Sequence, residues 1–118
     1  TPAKTLAALA DGGVDVIALD GYYLDLVRHH DPQRLAGMRT VATTPWTPIP
    51  LVVAAPGVDA HAVDRLRARL VTIHDVAAYR PLLDDVLLVR FVEPDTRSYA
   101  ALEAMADFAA ERGYDAIR

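Results

Sequence analysis

Two short stretches of the sequence carry most of the side chains that could bind a small molecule. Residues 13–23 read Gly-Val-Asp-Val-Ile-Ala-Leu-Asp-Gly-Tyr-Tyr, so an apolar run ends in a carboxylate, a glycine and two tyrosines. Asp20 could accept hydrogen bonds from a ligand amine or hydroxyl, and Tyr22 or Tyr23 could donate one and stack on the ligand. The apolar run at residues 15–19 is predicted to be a strand, and ligands of open α/β sheets bind beyond the carboxyl ends of strands. We therefore predict ligand contacts from Asp20, Gly21 and Tyr22.

A structural role is the alternative for the same residues. Asp20 could be the N-cap of a helix that follows, since aspartate is among the preferred capping residues. Tyr23 shares one face of that helix with Leu26 and Val27, so it is the tyrosine that we expect in the core.

The second stretch, residues 43–50, reads Thr-Thr-Pro-Trp-Thr-Pro-Ile-Pro. Proline has no amide donor and restricts the residue before it to extended conformations, so this segment is predicted to be a rigid, extended link. The hydroxyls of Thr43 and Thr44 could bind an anion, and Trp46 could form one wall of a ligand-binding cleft. The alternative is the end of a strand followed by a tryptophan that covers a core.

Composition argues against several other kinds of function. The net charge of −4 does not suit a nucleic-acid-binding surface, and the absence of cysteine removes disulfides, thiolate metal sites and cysteine nucleophiles. Ser98 is the sole serine and lies at a predicted helix cap, which argues against an enzyme with a serine nucleophile. The sequence also has no glycine-rich phosphate-binding loop. Paired carboxylates could still do acid–base chemistry, but no spacing marks such a pair. No two histidines have the i, i+4 spacing of a helical metal site; they are His29, His30, His61 and His74. We therefore predict no catalytic residue, no metal and no cofactor.

Helices and strands are predicted to alternate along the chain and to position these residues. The order α-β-α-β-β-α-α-β-α predicts an α/β fold. The helices are predicted over residues 2–11, 22–30, 59–73, 74–83 and 98–112. The strands are predicted over residues 15–19, 38–43, 51–55 and 87–92.

The order and spacing of these features resemble the periplasmic substrate-binding proteins of phosphate, phosphite and phosphonate ABC transporters. The resemblance rests on Gly-x-Val-Asp-Val-x-Ala-x-Asp-Gly-Tyr over residues 12–22, then a helix that ends in His-Asp-Pro. It continues through residues 35–54 with a strand, the proline link and a Pro-Leu-Val strand. The resemblance implies a partial type 2 periplasmic-binding-protein-like fold, a mixed sheet flanked by helices, with the ligand held between two lobes. The counterpart of residues 15–23 faces the cleft in such proteins.

The same resemblance implies a domain division and a function. Residues 1–44 would be the C-terminal part of the second lobe with the crossing strand, and residues 45–118 the C-terminal part of the first lobe. The protein would be the non-catalytic solute-binding component of an uptake system for a small oxyanion such as phosphonate or phosphate. Its partner would be the membrane subunits of the ABC transporter, and its location periplasmic or extracytoplasmic. The alternative is an effector-sensing domain of a transcription regulator with the same fold, and an enzyme has the least support.

The chain has 118 residues, less than half of the length usual in that family. We therefore expect the helix N-termini that hold the oxyanion to precede Thr1. Because the helices at 59–73 and 98–112 have apolar stripes that need a partner, we also expect a homo-oligomer.

Overall fold

The computed structural model describes residues 1–114 of the chain. It separates into two compact units, Thr1–Thr43 and Thr44–Arg118. The assignment of residues 1–44 and 45–118 to two lobes stays a prediction, and the last four residues of the second range lie outside the described residues.

The first unit consists of two α-helices and one turn of 3-10 helix: α1 (Pro2–Ala10), α2 (Gly21–His30) and Pro32–Leu35. A proline in the first turn suits the start of α1, since its missing N–H would have no partner there. Gly12 ends α1 with φ 70°, and its N–H donates to the carbonyl of Leu9 at 3.1 Å. A left-handed residue at this position closes the last helical turn, which explains the glycine. The buried apolar residues of this unit are Leu6 and Val27, at 2% and 6% exposure.

The second unit also consists of helices and loops in the described range. Its α-helices are α3 (Ala60–Thr72), α4 (Arg80–Asp85) and α5 (Ala100–Ala110), with 3-10 turns at Ile73–Asp75, Ala77–Tyr79 and Thr96–Tyr99. The Oδ1 of Asp59 caps α3 by accepting a hydrogen bond from the N–H of Ala62 at 2.9 Å. Leu83 of α4 is buried, at 6% exposure. The hydroxyl of Tyr99 donates to the carbonyl of Ile49 at 2.7 Å and ties two distant segments of the unit together.

The helix predictions agree with the structure in most places. Predicted helices over 2–11, 22–30, 59–73 and 98–112 correspond to α1, α2, α3 and α5 with its preceding 3-10 turn. The single helix predicted over 74–83 is wrong, because two 3-10 turns precede the short α4.

The predicted α/β class, with a mixed sheet flanked by helices, is wrong for residues 1–114, which contain no β-strand. All four predicted strand segments lack regular secondary structure. A strand exists only when its backbone N–H and C=O groups pair with a neighbour, and these segments form no ladder within the described range. Their side chains are correspondingly open, with Val16, Val53 and Val89 at 65%, 78% and 72% exposure.

Candidate functional site

Asp20 lies at the start of α2 and is its N-cap. Its Oδ1 accepts a hydrogen bond from the N–H of Tyr23 at 2.9 Å, with the backbone of Asp20 extended at φ −62° and ψ 133°. This bond satisfies one of the amides that every helix leaves unpaired at its first turn. The capping role proposed as the structural alternative is therefore present. The Asp20 side chain can still accept further hydrogen bonds, because a carboxylate has about four acceptor positions on its two oxygens.

Gly21 is the first residue of α2 and is exposed. A Cβ built on Gly21 would meet no atom within 4 Å, so the space beside its backbone is open. A ligand could approach the backbone closely at this point, which a side chain would prevent. Tyr22 and Tyr23 are both half-buried. Tyr23 is thus less buried than its expected core position, whereas Val27 on the same face is buried.

The three candidates in the proline link are all exposed. Thr43 is the last residue of the first unit, and Thr44 and Trp46 belong to the second. The Trp46 side chain is fully exposed at 102%, so the role of covering a core is not seen among the described residues. The meeting of these residues with Asp20 in one site stays a prediction.

The first unit also has a groove that was not among the sequence predictions. It encloses about 250 Å³ and lies against α1, α2 and residues 38–42. Apolar side chains dominate its lining, and Asp15, Arg28 and Arg39 supply its charges. A volume of this size is below the range of about 300–1,000 Å³ that is usual for ligand pockets. None of the six candidate ligand residues lines this groove.

Asp15 and Arg39 lie in the segments 15–19 and 38–43, which were predicted to be strands, and a charged side chain in such a segment indicates that one side is open to solvent. This signal for the groove is weak, because it does not show which segments lie together. The Arg28 guanidinium is less available to a molecule in the groove, since its Nη1 donates to Oδ1 of Asp25 at 2.9 Å.

A clear pKa shift is found in the second unit, at the pair Asp95 and Arg97. The Nε and Nη2 of Arg97 donate to the two carboxylate oxygens of Asp95 at 2.9 and 3.0 Å. These side-chain bonds, and then the backbone N–H of Arg97, lower the pKa of Asp95 because they favour its ionised form. The pair caps the 3-10 turn before α5 and is exposed, so it is a local structural contact.

Comparison with known proteins identifies the family. A family model described as "ABC transporter, phosphonate, periplasmic substrate-binding protein" matches residues 1–99 of the 118-residue chain. No curated protein and no solved structure gives a significant match. Among the described residues, no helix combines the length and the apolar character needed to cross a membrane. The match covers well over half of the sequence, and the chain therefore belongs to the family of periplasmic substrate-binding proteins of phosphonate ABC transporters.

Proposed function

We propose that this chain takes part in binding a small oxyanion, such as a phosphonate or phosphate, for uptake by an ABC transporter. The single observation that carries the proposal is the family match over residues 1–99. The ligand would be held between two lobes without being chemically changed, and closure of the lobes would signal its presence to the transporter. The family is one of solute-binding proteins, and the match does not favour the alternative of an effector-sensing domain in a transcription regulator.

We assign Asp20 to the end of the ligand that carries an amine or a hydroxyl. Its negative charge already complements the N-terminal end of α2, where it accepts the Tyr23 amide. An oxyanion placed beside this carboxylate would be repelled, whereas an ammonium or hydroxyl group could donate to its remaining acceptor positions. The open space beside Gly21 supports close approach of such a ligand.

The remaining assignments follow the sequence prediction. Tyr22 would donate its hydroxyl or stack on the ligand, Thr43 and Thr44 would donate hydroxyls to the anion, and Trp46 would form part of the wall. Partners would be the membrane subunits of the transporter, in keeping with the extracytoplasmic location of the family. A periplasmic location and a homo-oligomeric state are also part of this proposal.

Isothermal titration of the full-length protein with three probes tests the proposal: inorganic phosphate, methylphosphonate and an aminoalkylphosphonate. A hydrogen bond to a charged group contributes about 1.5–3 kcal/mol, so Asp20→Asn should weaken binding of the aminoalkylphosphonate about 10- to 150-fold. Methylphosphonate has no amine, so its affinity should change little in Asp20→Asn.

Asp59→Asn is the matched control, because Asp59 caps α3 with the same 2.9 Å geometry. It should leave the affinity for all three probes unchanged. Failure of all three probes to bind at millimolar concentration would refute the oxyanion-binding function. Equal affinity of wild-type protein and Asp20→Asn for the aminoalkylphosphonate would refute the role of Asp20 alone.

A further inference from the structure

The groove of the first unit has the features of a second binding site for a small molecule. All of its lining residues lie between residues 6 and 42, so it is formed within that unit alone. Leu6 in the lining is buried at 2% exposure, whereas Val16 and Val41 are 65% and 63% exposed. An apolar group placed in this first-unit groove would remove the two valines from water, which is favourable.

The size of the groove limits what it can hold. A dry apolar cavity of about 150 Å³ holds one benzene molecule. The groove, at about 250 Å³, therefore has room for one branched aliphatic or aromatic group. A second space of about 390 Å³ adjoins it and shares five of its lining residues, among them Asp15 and Arg39. These two side chains thus lie where an apolar group in the groove would continue into a polar end.

Asp15 and Arg39 bring opposite charges to this boundary. Within residues 1–114, neither side chain has a hydrogen bond or an ion pair with another residue. The third charged residue of the lining, Arg28, is already paired with Asp25 at 2.9 Å. A carboxylate accepts hydrogen bonds from an ammonium group, and a guanidinium donates two parallel bonds to a carboxylate. The two side chains therefore complement a molecule that carries both an ammonium group and a carboxylate.

A zwitterion fits these charges better than an ion of one sign. An anion beside Arg39 would be repelled by Asp15, and a cation beside Asp15 would be repelled by Arg39. We propose that the first-unit groove binds a small zwitterion with an apolar body, of the class of branched aliphatic and aromatic α-amino acids. Its ammonium group contacts Asp15, its carboxylate contacts Arg39, and its side chain lies in the groove. The site is distinct from the one assigned to the oxyanion, because none of the six candidate residues of that site lines the groove.

NMR titration of the full chain with L-leucine gives the first test. Amide signals of residues 15–17 and 38–42 should shift and saturate at millimolar concentration, whereas those of α3 should not move. Isocaproate lacks the ammonium group of leucine and isoamylamine lacks its carboxylate. Each should bind about fivefold more weakly, which is the upper range for one exposed charge contact. Absence of saturable shifts with L-leucine, or equal affinity for the three molecules, would overturn the proposal.

Substitutions of the two charged residues give the second test. Asp15→Asn should weaken L-leucine about fivefold and should not weaken isocaproate, which has no ammonium group. Arg39→Gln should weaken L-leucine and isocaproate, but not isoamylamine. Asp11→Asn and Arg34→Gln are the matched controls, because they remove the same charges at exposed positions of the first unit that do not line the groove. Equal effects of the groove variants and the controls would refute the assignment of Asp15 and Arg39.

A substitution that fills the groove tests where the apolar body lies. Val41→Trp should abolish binding of L-leucine, whereas Val14→Trp adds the same side chain at a position that is 42% exposed and outside the lining, and should leave binding intact. If Val41→Trp unfolds, the comparison of the three molecules in wild-type protein decides. Dilution of the ligand-free protein should leave the signals of residues 15–17 unchanged. Shifts on dilution would show that another copy of the chain occupies the groove, and would overturn the proposal.

Discussion

The N-cap of α2 offers the sharpest test of the local structure. In Asp20→Ala, the N–H of Tyr23 loses the carboxylate oxygen that it meets at 2.9 Å. Replacing a capping aspartate by alanine costs about 1 kcal/mol, because the first-turn amide is left to water and the charge at the helix N-terminus is lost. Since 1.4 kcal/mol is a factor of ten, protection of the α2 amides from hydrogen exchange should fall about fivefold. Asp20→Asn keeps a capping oxygen and should lower protection by no more than about twofold.

NMR measures amide exchange residue by residue and so follows each helix separately. Each of the two capped helices therefore serves as the experimental control for the other. Asp59 caps α3 through the N–H of Ala62, also at 2.9 Å, so Asp59→Ala should lower protection in α3 and leave α2 unchanged. Asp20→Ala should do the reverse. Unchanged exchange in α2 of Asp20→Ala would show that the cap does not contribute. An equal fall in both helices of both variants would show a global effect and refute the argument from local capping.

Three further predictions concern contacts in the second unit. Tyr99→Phe removes the 2.7 Å bond to the carbonyl of Ile49 and should cost about 1 kcal/mol, seen as faster amide exchange in the first turn of α5 and unchanged exchange in α3. Arg97→Ala should raise the lowered pKa of Asp95 towards its ordinary value of 3.8 in an NMR titration; an unchanged midpoint would contradict the role of Arg97. Because that pKa is lowered in the folded state, the stabilisation from Asp95 is present above its ordinary pKa and is lost as the pH falls. Leu87 has φ 55°, so Leu87→Gly should relieve strain of about 1 kcal/mol and slow exchange in α4, whereas Leu87→Ala, which keeps a Cβ, should not.

The helices could be predicted because their signals are local. Asp20 and Asp59 each cap a helix through the amide three residues later, and Gly12 ends α1 in the left-handed conformation. Each signal depends on a few neighbouring residues and needs no distant partner. The turn after α4 has Leu87 in the left-handed region in place of a glycine, so no such signal marks the end of that helix.

The site was predictable only to the extent that it is local. The Asp20 cap and the open space beside Gly21 both follow from the position of these residues at the start of α2. The groove lined by Asp15 and Arg39 was not predicted, since it depends on how two loop segments lie against α1 and α2. Local patterns fix which residues begin a helix, but not which loops lie together.

The predicted strands are absent from residues 1–114 for a different physical reason. An apolar, β-branched run such as residues 51–55 shows that a segment suits a pleated surface, but a strand also needs a second backbone to pair with. In the described residues that second backbone is not supplied, so Val52 and Val53 remain 69% and 78% exposed. The strand pattern in the sequence therefore measures a capacity for pairing that the structure leaves unused.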